Sequence, residues 1–219
     1  MKKNKKIVAI IPIKSVSKRV KGKNFKIVNG KPLYRYLLDK LKFCNFDDVY
    51  VDSDSHEIEK YCKKIGYHYL KRKSVLARDS ANGNDLINYH SSIIRADIYF
   101  QLFVTAPLLS VKSINQCINL LKKSKRQDSI ITIQKIYSWF WFNKKPVNYK
   151  PKVLPRSQDA SPIICETTGL YGITKIALKK NKCRIGSNPI FFEIPDKESL
   201  DIDNQKDIEL LKIYLKNHS

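Results

Sequence analysis

The chain of 219 residues carries 42 lysines and arginines against 20 aspartates and glutamates, a formal net charge of +22, with 42% hydrophobic and 28% charged residues. This is the length of one substantial domain and the composition of a globular chain, which excludes a disordered polypeptide. No apolar run approaches the ~18 residues a spanning helix needs, which excludes a transmembrane helix.

Only eight of the basic residues are arginines, and the lysines scatter over the whole length. Sequence-specific readers of nucleic acid lean on arginine, whose planar fork pairs bidentately with bases and phosphates. The basicity therefore reads as a lysine-rich surface, and neither a nucleic-acid nor a membrane partner is expected. The five cysteines (Cys44, Cys62, Cys117, Cys165, Cys183) are odd in number, widely spaced and without a CxxC pair. They give no disulfide framework and no zinc site, and free thiols point to a reducing cytoplasm.

The basic segment from Met1 to Lys6 precedes a short apolar run, Ile7 to Ile13, that lacks a small-residue cleavage site. It reads as a first strand buried on both faces and not as a signal peptide. A polar, basic loop follows from Lys14 to Lys26. Pro32 is placed to open a helix with Leu33, Leu37, Leu41 and Cys44 on one face. Asp47 to Asp52 reads as a second strand. Asp54 and Glu57 have the spacing of a capping box before a helix that carries Ile58, Cys62 and Ile65 and closes at Gly66. Asp97 to Val104 is another buried strand, Ser110 caps a helix bearing Ile114, Cys117, Ile118 and Leu121, and Ser129 to Ile136 is a strand again. The rhythm breaks over 137–160, where Trp139, Phe140, Trp141 and Phe142 stand in a row. On a strand, one pair of these aromatics would point to each face; one pair could join the core while the other needs a further surface. Strands from Gly169 to Thr174 and Ile190 to Glu193 and a helix from Gln205 to Leu215 complete the chain. The alternation predicts an α/β fold of three layers around a mostly parallel, Rossmann-like sheet: one domain over 1–219 with an inserted aromatic arm at about 137–160.

Ligands of such sheets bind beyond the carboxyl ends of the strands. The loop after the first strand offers Lys14, Lys18, Arg19, Lys21 and Lys23 with Ser17 and Gly22, a set suited to a polyphosphate, although neither a Walker A loop nor GxGxxG is present. Asp52 and Asp54 form a DxD at the end of the second strand, which in a metal-dependent nucleotide-sugar glycosyltransferase would hold a divalent cation; Asp54 also has sufficient reason to be there as a helix cap. Asp201 and Asp203 alternate with Leu200 and Ile202, which places both carboxylates on one face of a strand end, where they repel unless a cation such as Mg²⁺ lies between them. Arg156 and Gln158 sit in a polar turn after the aromatic row.

Taken in order, these segments resemble the acylneuraminate cytidylyltransferases, the CMP-sialic acid synthetase family. The family's ARGGSKRIPGKN loop is matched by Ile13 to Asn24, its NGKPL by Asn29 to Leu33, and its VSTDSxxI by Val51 to Ile58. Its RPxxLAxDxA corresponds to Arg72 to Ala81, its RRQD to Arg156 to Asp159, and its SIDID to Ser199 to Asp203. The resemblance implies a nucleotide-diphospho-sugar transferase-like fold and transfer of CMP from CTP to an anionic eight- or nine-carbon ulosonic acid, with release of pyrophosphate. Carried over residue by residue, it implies nucleotide binding by Lys14, Ser17, Lys18, Lys23, Asn24, Arg72 and Gly83, and sugar binding by Arg156, Gln158 and Thr168. It assigns Mg²⁺ to Asp201 and Asp203, catalysis to these two with Lys18 and Lys23, and a homodimer built through the arm. The departures are Lys14, Ser15 and Val16 in the first loop, with Phe103 and Leu109 where the family carries glutamine and arginine. The alternatives are the DxD glycosyltransferase using Asp52 and Asp54, and a non-catalytic basic module that binds nucleic acid.

Overall fold

A computed structural model describes residues 5–17, 20–78 and 80–216. Its centre is strand β1 (Ile7–Ile13), every residue of which is buried. Alternation along the strand sends Ile7, Ala9, Ile11 and Ile13 to one face and Val8 and Ile10 to the other, and each set belongs to a separate apolar cluster. The apolar run thus fills two layers at once, as a strand sandwiched between helices must.

A short hairpin, β2 (Ile27–Val28) with β3 (Lys31–Pro32), leads into helix α1 (Leu33–Leu41). Pro32 stands at the cap position, one residue before the helical turn where it was expected. Next come β4 (Asp48–Ser53), α2 (His56–Ile65) and β5 (His68–Lys71). Gly66 closes α2 at φ 78°, a left-handed turn in which a side chain would be strained. The expected capping box is not formed. Ser55 holds the cap position without a side-chain bond, and Asp54 instead accepts from the Ser15 backbone N–H at 2.7 Å and its hydroxyl at 2.5 Å. Glu57 accepts from the Tyr34 hydroxyl. Tertiary donors have claimed both carboxylates.

The short α3 (Ser74–Ala77) and then α4 (Gly83–Ile93) follow, neither marked by a strong apolar period. Helix α4 is started by a reciprocal capping box between Asn82 and Asp85. The chain then adds β6 (Ile98–Leu102), α5 (Val111–Lys123) capped by Ser110, and β7 (Ser129–Ile136). Beyond it lie the small hairpin of β8 (Trp141–Phe142) and β9 (Lys145–Pro146), the long β10 (Ile163–Thr174), α6 (Lys175–Asn181), β11 (Pro189–Glu193) and α7 (Gln205–Lys216).

The main sheet has the order β11-β7-β10-β6-β1-β4-β5. Every neighbouring pair is parallel except those of β10, which runs antiparallel to both β6 and β7. The strand order reverses at β1, which pairs with β4 on one side and β6 on the other. That is the topological switch point where a crevice opens beyond the strand ends. Lys40 braces the loop beside it, donating at 2.8 Å to the carbonyls of both Pro107 and Leu109. Burial pushes this ammonium's pKa down to about 8. The aromatic row departs from expectation: Trp139, Trp141 and Phe142 are all exposed, at 41%, 57% and 71%, so neither pair enters the core. No helix among the described residues is long and apolar enough to cross a membrane.

Candidate active site

A cavity of about 890 Å³ opens at the carboxyl ends of β1 and β6. Around it the fold gathers Lys14, Ser17, Lys23, Asn24, Arg72 and Gly83, which the sequence scatters over seventy positions. Lys18 lies outside the described residues. Arg78 adds a cation to the wall, and Phe103 and Leu86 contribute apolar surface.

The first loop is held by two side chains that turn inward. Gly22, at φ 62°, permits the reversal that starts the short turn Lys23–Phe25. Lys23 is thereby buried, and its ammonium donates to the Ile202 carbonyl at 2.5 Å and to Asp203 Oδ1 at 3.2 Å. Asn24 donates to the Lys14 carbonyl at 2.9 Å, while its own Oδ1 is buried without a partner among the described residues. The loop rim is fixed by Asp54. Burial alone would raise the Asp54 carboxyl, but the Ser15 hydroxyl and backbone N–H hold it below the usual carboxylate range.

Arg72 forms part of the floor. Its guanidinium bonds the carboxylate and the carbonyl of Asp52, and the second Asp52 oxygen lies 2.9 Å from His90 Nε2. Asp52 and His90 are fully buried. This arrangement answers the DxD reading: Asp52 is sealed beneath Arg72 and Asp54 is tied to Ser15, so the two do not present a joint metal face. Sequence reasoning missed the Asp52–His90 contact, because its partners are 38 residues apart and no local pattern joins them.

The segment around Asp201 and Asp203 is not a strand, contrary to the alternation seen in the sequence. It follows a 3₁₀ turn (Asp196–Ser199) and runs irregularly into α7. Ile202 points into an apolar cluster and donates its N–H to the Thr105 carbonyl at 2.8 Å, which docks the segment on the cavity wall. Asp203 takes Lys23, and Asp201 Oδ2 accepts from the Thr168 hydroxyl at 2.7 Å. Thr168 holds a left-handed φ of 50° at an irregularity in β10 between Glu166 and Tyr171. Asp201 Oδ1 is buried with no hydrogen-bond partner among the described residues. An orphaned, anionic oxygen in such a place fits a hard cation that draws its remaining ligands from water and phosphate. No group of three or more His, Cys, Asp or Glu side chains suited to a metal occurs among the described residues.

Arg156 and Gln158 do not join this assembly. They sit on an exposed 3₁₀ turn (Ser157–Asp159) and its cap, with Arg156 paired to Asp159 at 2.7 Å. Of the three expected sugar-binding residues, only Thr168 reaches the aspartate pair.

Known proteins give the arrangement a context. The chain is 27% identical over 212 residues to N-acylneuraminate cytidylyltransferase A of Danio rerio, a match covering 92% of this chain and 49% of that protein. It is likewise 27% identical over 205 residues to a Helicobacter pylori (strain ATCC 700392 / 26695) protein described as a pseudaminic acid cytidylyltransferase and UDP-2,4-diacetamido-2,4,6-trideoxy-beta-L-altropyranose hydrolase, covering 89% of this chain and 40% of that protein. The chain spans about half the length of these curated relatives, or less. Among solved structures, a CMP:2-keto-3-deoxy-manno-octonic acid synthetase complexed with CTP superposes with a TM-score of 0.70 at 16% identity, covering 98% of this chain and all of that one. The 4-diphosphocytidyl-2C-methyl-D-erythritol synthase of Anaerococcus prevotii DSM 20548 gives 0.69 at 14% identity, covering 97% of each chain. At such identities these two establish a shared fold. The family model described as cytidylyltransferase matches residues 8–171, from β1 through the crevice strands to the middle of β10, and on that span the chain belongs to the cytidylyltransferase family.

Proposed function

We propose that this chain transfers a cytidylyl group from CTP to an anionic eight- or nine-carbon ulosonic acid, giving the CMP-sugar and pyrophosphate. The observation that carries the reading is the crevice itself. Lys14, Lys23, Arg72 and Arg78 border a single cavity at the switch point of a cytidylyltransferase sheet. Both substrates are anions, and cations placed beforehand stabilise the additional charge of the transition state without reorganising.

In this reaction the anomeric hydroxyl of the acid attacks the α-phosphorus, a new C–O–P linkage forms, the bond to the β-phosphate oxygen breaks, and a proton is released. Lys14, Ser17, Lys23 and Asn24 would hold the phosphates, with Lys18 from the same loop. The unpartnered Asn24 Oδ1 and the Lys23 ammonium sit where the chain turns into the cavity. Arg72, locked by Asp52, would present a fixed cation against the nucleotide, and Gly83, at the start of α4, lines the same cavity. Asp201 and Asp203 would hold Mg²⁺, which when bound would neutralise phosphate charge and lower the pKa of the attacking hydroxyl. Positioning accounts for the rest, because in-line transfer asks little covalent chemistry of the protein.

The arm suits a second copy of the chain. Its three exposed aromatics, and Val153 and Leu154 at 73% and 61% exposure, are apolar side chains that a two-fold contact would cover. Five free thiols, three of them buried, favour a cytoplasmic setting.

Pyrophosphate release measured across four nucleoside triphosphates and a panel of ulosonic acids tests the reading. Release is expected with CTP only, and only when an acid is present. Inertness with every acid would overturn it, and so would acid-independent release. Neither alternative is favoured: the Asp52 pairing removes the DxD site, and net charge alone speaks for nucleic acid. Sedimentation at micromolar concentration tests the dimer, which a monomer with Trp139 and Trp141 shielded from a quencher would overturn.

A further inference from the structure

Arg184 was not singled out by any motif, yet it packs against two residues of the cavity wall, Gly83 and Phe103. It occupies the turn that follows α6, where Lys182 stops the helix at φ 53°. Two α4 side chains fix that turn: Asn84 accepts from the Arg184 backbone N–H at 2.9 Å, and Asn88 donates to the Lys182 carbonyl at 2.8 Å. The guanidinium then stacks on Tyr171, its Cζ 3.6 Å from the ring centroid and 5.7 Å from that of Phe103. The Tyr171 hydroxyl donates to Glu166 at 2.8 Å, which leaves the ring face to the arginine.

Among the described residues the Arg184 guanidinium makes no hydrogen bond and no ion pair; it packs on the two ring faces. Half-buried cations ordinarily find an anion, and this one has a planar fork of donors and a platform that fixes its orientation. Gly83 and Phe103 both line the cavity, and a Cβ on Gly83 would fall 2.5 Å from Arg184 Nη1. The missing side chain at Gly83 is thus what leaves room for the guanidinium against this part of the wall.

We propose that Arg184 is the residue that receives the carboxylate of the acid substrate. This rests on the cytidylyltransferase reading above and deepens it. The cations of the first loop and of Arg72 serve the triphosphate. Arg184 stands apart from them, beyond Phe103, where a second anionic group would enter. A carboxylate accepts two parallel N–H bonds from an arginine fork, whereas a neutral sugar offers no such partner. The residue therefore selects acids over neutral sugars.

The test compares wild type with Arg184→Gln and Arg184→Lys in steady-state pyrophosphate release, using each ulosonic acid and its methyl ester. Loss of a charge-assisted pair should raise KM for the acid by roughly 10- to 150-fold. Apparent KM for CTP should stay within about twofold, since Arg184 does not face the phosphates in this scheme. Wild type should prefer acid to ester by a similar factor, and Arg184→Gln should lose that preference. Arg184→Lys, which keeps charge but not the fork, should fall between; it also decides the matter if the glutamine variant does not fold. An unchanged KM for the acid in a folded variant would overturn the proposal while leaving the cytidylyltransferase reading intact. So would equal loss for acid and ester. Wild type that binds CTP but is inert with every acid would overturn both.

Discussion

Asp52 is the position where one substitution should reach both the fold and the crevice. Its carboxylate is fully buried and joins Arg72, whose side chain is 3% exposed, to the fully buried His90. Asp52→Ala strands a guanidinium away from water, with the carbonyl of residue 52, at 3.2 Å, the one acceptor left to it among the described residues. Breaking a buried pair from one side costs about 3–5 kcal/mol, because the remaining charge stays dehydrated without its partner. That is a large share of the ~5–15 kcal/mol that stabilises a typical domain. At ~2–4 °C per kcal/mol for a chain of this size, it corresponds to a loss of about 6–20 °C in Tm. Arg72 would also lose its fixed place on the cavity floor, so CTP affinity should fall in the same variant. Urea melts followed by circular dichroism, with CTP binding followed by calorimetry, read both effects. In the double variant Asp52→Ala/Arg72→Met no charge is stranded, so part of the stability should return while CTP binding does not. A single variant with wild-type midpoint and wild-type CTP affinity would refute the reasoning.

Lys40 sets a pH dependence. Its folded pKa of about 8 lies below the unfolded value, so between pH 8 and 10.5 the unfolded chain binds the extra proton and stability rises with pH. Relative to Lys40→Met, wild type should gain about 2 kcal/mol between pH 7.5 and 9.5 in urea melts, and parallel curves would contradict this. Gly172→Ala should cost about 1–3 kcal/mol, because its Cβ would lie 2.5 Å from Phe100 Cε1 and 2.7 Å from Ile130 Cγ2, both in the core; an unchanged melting temperature would show that the core yields there. Asp201→Asn should abolish turnover and the Mg²⁺ dependence of CTP binding with little change in Tm, since Oδ1 has no partner among the described residues. Full wild-type activity in excess chelator would remove the metal from the scheme.

Much of the layer structure was legible because apolar period and local caps agree. Strands β1 and β7 fall where the apolar runs do, and Ser110 caps α5 as its position implies. Helix α4 was not legible: His90 interrupts its apolar stripe as a buried polar group, and its start is marked by Asn82 and Asp85 within an otherwise turn-like stretch. The capping box at Asp54 and Glu57 failed for the opposite reason, since a local signal lost to donors from Ser15 and Tyr34 far away in sequence. Leu200 to Asp203 alternates like a strand but pairs with none among the described residues, and Lys23 and Thr105 dictate its path. The crevice cations were legible as a cluster after β1. Arg184 was not, because what makes it notable is a stacked guanidinium without an anion among the described residues, which no sequence pattern encodes.

The arm leaves and re-enters the fold through one doorway. Ile136, the last residue of β7, pairs directly with Ile163, the first of β10, so residues 137–162 form a loop whose two ends are already clamped together by the sheet. For such a loop, doubling the length costs only about 0.6 kcal/mol of closure entropy. The scaffold is therefore nearly indifferent to how long this excursion is or what it is made of. Selection on the arm can act almost entirely through whatever it touches, and a lineage could lengthen, shorten or re-dress it without renegotiating the crevice. Replacing 137–162 by a tight turn separates the two roles physically: the sheet should still close, and what is lost with the arm is what the arm was kept for.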